Sequence, residues 1–431
     1  MRSNQILRIP NLTDIIVKVA IAIDYGGDLA IALVVHQETG AAGARRRRVG
    51  WAVGGPVCRL SPMQRRHVLA MAMATALLLG RARPVFAQEL TWNNGLTFYL
   101  DNTEFFNPYR TGETLLGGQI LSYLSAALGP RTEVVAGFHG NHRSGDSGFF
   151  DPFKPILGFR YRTEHSLGVL GTLVTEDRHG YLEPLEGTIL DITRPVEYGV
   201  QWREQHTAGG GEVFLNWQRL NTSRGREVFD YGLLLHANPA AWLRIELQGH
   251  GLHHGGQLYS AGEPVVNNQV LALGGEVHGR LSVLGLSSLS AFQLLSHGDI
   301  DSLPAGRPDH GHGTYLRAAI MPGGWLELFA IQWWGRDFVS NEGDGNYNSQ
   351  GSNTAFYHSY RKYQEIGLAR RTPIESGLTL DTEFRFHRID DRRSIAIGTS
   401  PWEYSYRMIV RAPFSMRLGR PNPGGSGAES P

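Results

Sequence analysis

Leu378-Thr379-Leu380-Asp381-Thr382-Glu383-Phe384-Arg385-Phe386-His387 alternates residue by residue, with apolar side chains at even positions except Thr382 and polar or charged ones at odd positions. A period of two is the signature of a β-strand with two unlike faces. Trp242-Leu243-Arg244-Ile245-Glu246-Leu247-Gln248 repeats the pattern, as do Tyr404–Arg411 and Leu271–Leu281, where Glu276, His278 and Arg280 share one face. Soluble sandwiches use strands of about five or six residues. These strands run to about ten residues and carry Arg, Glu, Asp and His on one face, which fits strands tilted across a bilayer with lipid on one side and a lumen on the other.

The connections give an independent test. Long polar links fall at 101–113, 140–154, 175–195, 221–227, 253–268, 297–313, 335–358 and 389–402. Between them lie tight turns at Gly129-Pro130, Thr163–His165, Asn238-Pro239-Ala240, Leu284-Gly285, Pro322-Gly323-Gly324 and Thr372–Ser376, and a somewhat longer one at His206–Gly211. Strict alternation of long and short links predicts an all-β, transmembrane, antiparallel up-and-down barrel with long outer loops and short periplasmic turns. Eight long links give about 16 strands, with 14 as the nearest alternative. No repeat near a propeller blade's period of about 40–45 residues is present.

Composition agrees. Glycine supplies 54 of 431 residues, apolar residues only 41% and aromatics 10%, which excludes a Leu/Ala-rich helical bundle. No uncharged apolar run is long enough for a spanning α-helix. Met63–Gln88 reads as an export signal: Arg65, Arg66 and His67, an apolar core from Val68 to Leu79, then Val85-Phe86-Ala87 before the cut. Residues 1–62 precede it and read as a disordered, mis-assigned upstream extension with Arg45–Arg48 in it. Residues 63–87 are then the signal peptide, 88–418 the barrel, and 419–431 a disordered Gly/Pro/Ser tail. Removing residues 1–87 takes 12 of the 41 basic and 4 of the 40 acidic residues, leaving a net charge of −7 and no cysteine, because Cys58 goes too. A nucleic-acid partner loses its support.

Aromatics at Trp92, Tyr99, Phe105, Phe106, Tyr109, Phe356, Tyr357, Trp402 and Tyr404 stand where strands meet loops and read as interfacial belts. On these features residues 88–418 resemble a Gram-negative outer-membrane β-barrel of porin-like architecture. The resemblance implies residence in the cell outer membrane, contact with its lipid, insertion by the barrel-assembly machinery, and a homo-oligomer among the allowed assemblies.

The inward face predicted by alternation carries Arg160, Arg162, Arg203, Arg244, Glu246, Glu276, His278, Arg280, Asp381, Glu383, Arg385, Arg407 and Arg411. Such a charged lining suits passive or weakly selective passage of small polar solutes, or else a structural ion-pair ladder in a sealed lumen. The third long link holds Glu176, Asp177, Glu183, Glu186 and Asp191. By analogy with porin-like barrels it folds inward and constricts the pore; a solvated outer loop is the equal alternative.

Asp309-His310-Gly311-His312 and the His250, His253, His254 cluster lack the fixed spacing of strong metal motifs, and Asn341–Asn346 fails the EF-hand template and reads as a flexible loop. No metal or cofactor is expected. Neither a G-x-S-x-G elbow nor a P-loop is present, so the sequence predicts a channel and not an enzyme. Two lesser readings remain. One is a surface-binding barrel gripping a glycan or partner with Phe338, Tyr347 and Trp402. The other is a barrel-wall lipid hydrolase pairing His278 with Ser282 or Ser287.

Overall fold

The computed structural model describes residues 15–23 and 29–37, and residues 89–418 except 147–149, 151–152, 257, 259–263, 299–306, 353–355, 376 and 390–400. The chain divides into two units, Met1–Val85 and Phe86–Pro431. In the first, β1 (Ile15–Ile23) pairs antiparallel with β2 (Leu29–Gln37). The upstream segment, expected to be disordered, therefore carries a hairpin between these bounds. Both strands are rich in Ile and Val, which favour extended backbone. The Arg45–Arg48 run, the signal peptide and the tail lie outside the described residues.

In the second unit, sixteen described strands close into one barrel. They are β3 (Glu89–Glu104), β4 (Glu113–Ala127), β5 (Thr132–Arg143), β6 (Phe153–Arg162), β7 (Ser166–Thr172), β8 (Tyr198–His206), β9 (Gly209–Arg219) and β10 (Glu227–Ala240). The circuit continues through β11 (Leu243–Gly255), β12 (Val266–Leu281), β13 (Gly285–Gly298), β14 (His310–Met321), β15 (Glu327–Arg336), β16 (Tyr360–Pro373), β17 (Thr379–Ile389) and β18 (Trp402–Arg417). Each strand pairs antiparallel with its neighbours in sequence, and β18 closes on β3 in unbroken register from Tyr404↔Glu104 to Arg417↔Thr91. All eight long links fall at one end and all short turns at the other, as the sequence predicts.

Side chains alternate across the wall. Leu157, Leu170, Leu289 and Leu295 are more than half exposed on the outside, while their chain neighbours Ile156, Val169, Ser290 and Leu294 are buried. Exposed aliphatic residues on every side of a closed sheet mark a barrel whose surrounding solvent is lipid, and the protein is an outer-membrane barrel. The belt reading needs correction at three residues. Tyr99, Phe105 and Tyr109 are buried inside, whereas Trp202, Trp242, Trp325, Tyr360, Trp402 and Tyr404 stand exposed.

The interior combines the charged lining expected from sequence with an apolar core that alternation did not reveal. In the long-loop half a packed core fills the lumen: Trp333, Tyr315, Tyr363 and Leu294 from the wall, Leu185, Phe338 and Tyr347 from loops. Tyr347 packs edge-on to Trp333 (5.4 Å) and to Tyr363 (5.1 Å), the geometry that ring quadrupoles favour. Gly313 makes room for this core, because a Cβ there would stand 1.9 Å from the Trp333 ring. Toward the short-turn end the lumen opens into cavities of about 400 and 350 Å³. Gly313→Val is expected to prevent closure around Trp333. Unboiled samples in SDS should lose the fast-migrating folded band that wild type shows, while an outward change such as Leu289→Val should keep it.

Candidate active site

Three of the long loops fold back into the barrel mouth. Residues 173–197, between β7 and β8, form a 3-10 turn (Glu176–Gly180) and one helical turn (Leu190–Thr193). Leu185 and Ile192 on this loop are buried, and the Gln119 side chain on the wall donates to the Ile192 carbonyl. Residues 337–359 interlock with it: Gly187 N–H donates to the Glu342 carbonyl (2.8 Å) and Asp344 N–H to the Glu183 carbonyl (2.9 Å). Arg194 grips Glu342 through two parallel bonds of 3.0 and 2.8 Å. The loop 105–112 joins through an Arg110–Asp344 ion pair and through Glu403 of β18, which accepts from Phe106 N–H and the Asn107 amide. The Asn341–Asn346 segment, expected to be flexible, is thus part of a built roof. Phe338 and Tyr347 are buried in it and present no ring to a glycan or partner.

The inward residues named from sequence do face the lumen, mostly as ion pairs. Arg203 binds Glu212 (2.6 Å), Arg244 binds Glu246, and Arg411 and Arg371 share Asp381. Arg407 binds Asp101 (2.5 Å), and Arg160 lies over the Tyr123 ring. Glu276 accepts from Ser290 and stands 3.6 Å from His278. Arg162 and Arg280 continue the inward face at the short-turn end. No described hydrogen bond joins His278 to Ser282 or Ser287. In the third loop Glu183 binds Arg385 and Glu186 binds Arg178; Asp191 lies in the helical turn, and Glu176 and Asp177 open the 3-10 turn. The inward-folding alternative for this loop is the one the structure adopts. Among the described residues no group of three His, Cys, Asp or Glu is placed to hold a metal ion.

Beneath this roof, neighbouring strands bring together four residues that sequence reasoning did not select. Ser405 Oγ lies 2.8 Å from His387 Nε2, and His387 Nδ1 lies 2.5 Å from the Tyr363 hydroxyl. Tyr363 in turn donates to Glu365 Oε2 at 2.8 Å. With Glu365 ionised, the Tyr363 hydroxyl donates its hydrogen bond to the carboxylate, its oxygen accepts from His387 Nδ1–H, and Nε2 is left to accept from Ser405. This is the arrangement of a hydroxyl nucleophile, an imidazole base and an acidic orienting group. Phe105 packs edge-on against the imidazole at 4.9 Å and helps hold its plane.

Arg385 couples relay to roof. Its Nη1 donates to Glu365 (2.9 Å) and to Glu183 of the third loop (2.6 Å), and Nε to Glu383 (2.7 Å). Ser405, His387, Arg110, Arg385 and Arg407 line one cavity of about 20 Å³, room for a single water. The same cavity is lined by Asp101, Glu183, Asp344, Glu365 and Glu383, and each of its three guanidinium groups is ion-paired with one or more of them. Ser405 and His387 lie on strands whose alternation is plain. The missing signal is register: β17 and β18 pair Arg385 with Ser405 and His387 with Glu403, so the histidine reaches the serine diagonally.

A second buried network pins the third loop. His179 Nε2 lies 3.0 Å from Glu197 and Nδ1 2.5 Å from Glu212, while Arg178 binds both Glu186 and Glu197. Arg178 and His179 hold left-handed backbone (φ 49° and 60°) that non-glycine residues rarely adopt, and the ion pairs over-determine it.

Residues 82–421 match the model of a family described as lipid A 3'-O-deacylase-type. No curated protein matches in sequence. Solved structures of similar fold include OmpT, an outer membrane protein of Vibrio cholerae in trimer form, at 10% identity and a TM-score of 0.45, covering 75% of this chain and 99% of that one. OprD of Pseudomonas aeruginosa gives 11% and 0.42 over 78% and 96%. OccAB1 of Acinetobacter baumannii gives 11% and 0.41 over 79% and 99%. Likeness at this level says nothing of activity. The family match overturns the sequence expectation of a non-enzyme. A hydrolytic constellation assembled across three strands leaves no linear motif, so the absence of an elbow or P-loop carried no weight against one.

The His179 network sets a pH dependence for the roof. Burial alone would lower the His179 pKa, but the hydrogen bonds and charges of Glu197 and Glu212 outweigh it and raise the pKa. Burial would raise Glu197, yet His179 and Arg178 bring it below the ordinary carboxylate value. The histidine contribution is therefore full below the ordinary imidazole pKa of about 6.5 and fades as pH rises through the raised value. The carboxylate contribution is full above about 4.5 and fades as pH falls through the lowered value. Limited proteolysis within 173–197 should be slowest between these limits and accelerate on the alkaline side. His179→Gln should abolish that alkaline step, and a cleavage rate independent of pH in wild type would contradict the assignment.

Proposed function

Because the chain belongs to the lipid A 3'-O-deacylase-type family, we propose that it is an outer-membrane ester hydrolase that removes an acyl chain from a lipid A-type glycolipid, with Ser405 as nucleophile and His387 as general base. The observation that carries this reading is the continuous hydrogen-bonded order Ser405, His387, Tyr363, Glu365. Ser405 Oγ attacks the ester carbonyl while His387 Nε2 takes its proton. The imidazolium that forms is stabilised through Tyr363 by Glu365. Collapse expels the sugar hydroxyl, to which His387 returns the proton. Water then releases the fatty acid from the serine by the same steps in reverse.

The long-loop end is the outer-leaflet end, where a glycolipid presents its ester-linked chains. A cavity of about 20 Å³ admits no acyl ester, so the cycle includes displacement of the roof. Glu183 is the hinge of this coupling: its bond to Arg385 links loop position to Glu365. Passage of small polar solutes has less behind it, because Trp333, Phe338, Tyr347 and Tyr363 fill the long-loop half of the lumen.

Ser405→Ala should lower release of ester-linked fatty acid from lipid A vesicles by at least about a thousandfold while leaving heat-modifiable mobility intact. Tyr363→Phe keeps the ring but breaks the link to Glu365, and should cost about ten- to a hundredfold in kcat. Undiminished activity of the serine variant would remove Ser405 from the mechanism. Roof displacement has its own check. A Cβ on Gly187 would stand 3.6 Å from Asp344 Cα, close enough for a disulfide in the double variant G187C/D344C. Oxidation should silence the enzyme and reductant restore it. Equal activity in both states would show that no such motion is needed.

A further inference from the structure

One buried carboxylate beside the relay takes no part in it. Glu403 stands directly across the ladder from His387 and is 6% exposed. Its oxygens are turned to the loop 105–112: Oε1 accepts from Phe106 N–H (2.8 Å) and Oε2 from the Asn107 amide (2.5 Å). Among the described residues it has no cationic partner. A carboxylate buried on neutral donors alone is costly, so its place here needs a reason. Asn107 supplies one, because the loop turns on it. Its Oδ1 accepts from Tyr109 N–H (2.8 Å) and Arg110 N–H (3.0 Å), closing an Asx turn, while its amide also donates to Asn346 of the roof (3.3 Å). Seating that turn seats the residues on both sides of it. Phe105 lies edge-on to His387 at 4.9 Å, and the Arg110 guanidinium stands over the same Phe105 ring, also at 4.9 Å. Phe105 is thus gripped between imidazole and guanidinium.

We infer that Glu403 is a positioning residue for His387. Through Phe106 and Asn107 it holds the 105–112 turn, and the turn holds Phe105 against the imidazole that Ser405 and Tyr363 bond from its two nitrogens. A base whose ring is locked by its neighbours presents Nε2 to the serine in one orientation. The inference rests on the reading of His387 as general base, but the clamp from Glu403 to Phe105 to His387 is a matter of packing and has its own test. Its polarity is specific. Both Glu403 oxygens accept, which suits the Phe106 N–H and the Asn107 NH2 together. Glu403→Gln keeps the size and one acceptor oxygen but sets its own NH2 against that of Asn107. Adding Asn107→Asp reverses the pair, so that donor again meets acceptor, and a carboxylate at position 107 still accepts from Tyr109 and Arg110 N–H.

Carbethoxylation of His387 by diethyl pyrocarbonate, followed by peptide mass spectrometry of the full-length barrel in detergent, reads the clamp without any need for turnover. His387 is 3% exposed, and its labelling in wild type should be slow. Glu403→Gln and Phe105→Ala should each speed it about tenfold at unchanged heat-modifiable mobility. The double variant Glu403→Gln/Asn107→Asp should return it to within about twofold of wild type. Ester release from lipid A vesicles supplies the kinetic readout: Glu403→Gln should lower kcat about tenfold with KM within about twofold, and the double variant should recover kcat. Labelling of Glu403→Gln as slow as wild type would overturn the inference, as would a double variant labelled as fast as the single one, even where Ser405→Ala is inactive. Full activity of Ser405→Ala would instead remove the reading of the site and leave the labelling pattern to judge the clamp.

Discussion

Everything in this molecule follows from the absence of water around its wall. In lipid, each backbone N–H and C=O needs a partner inside the sheet, so the first and last strands must meet. They do, in unbroken register from Tyr404↔Glu104 to Arg417↔Thr91. Closure then divides every strand into a lipid face and an inner face, and it places His387 and Ser405 on adjacent inner faces within hydrogen-bond reach. The same closure explains the spread of the candidate site over β16, β17 and β18. A barrel wall positions side chains by ladder register, not by proximity in sequence.

Inside, the deciding energy is electrostatic. Burying Arg385 among Glu183, Glu365 and Glu383 is favourable only because each charge has a partner, and removing one partner from such a cluster costs about 3–5 kcal/mol. That cost pins the roof: Glu183 is seated on Arg385, and the cavity beside Ser405 is only about 20 Å³. The third loop is thus bonded to the same guanidinium as Glu365 and covers the cavity that Ser405 and His387 line.

Much of this was legible in the sequence. Period-two alternation marked the strands and the eight long links marked the closed even-numbered barrel, while the acidic third link read equally as an inward-folding loop or a solvated outer one. The charged inner faces of β11, β17 and β18 were equally readable, since alternation alone assigns a face. What could not be read was which inner residues stand opposite one another. His387 and Ser405 belong to readable strands, yet their meeting depends on a diagonal contact set by ladder register. Nor did the sequence reveal that Phe338, Tyr347 and Leu185 are core residues, because apolar side chains on long loops look like surface features until the loops fold in. The expected absence of catalysis rested on linear motifs, which a site spread over three strands does not possess.

The central claim is a covalent one, that the acyl group passes through Ser405. Rapid acid quenching during single turnover of lipid A, followed by peptide mass spectrometry of residues around 402–411, reads it directly. The account predicts a transient peptide heavier by one hydroxyacyl or acyl group, localised to Ser405 and accumulating in Tyr363→Phe if the slower base delays its hydrolysis. Turnover with no such peptide at any time, or an acyl group on another residue, would contradict it.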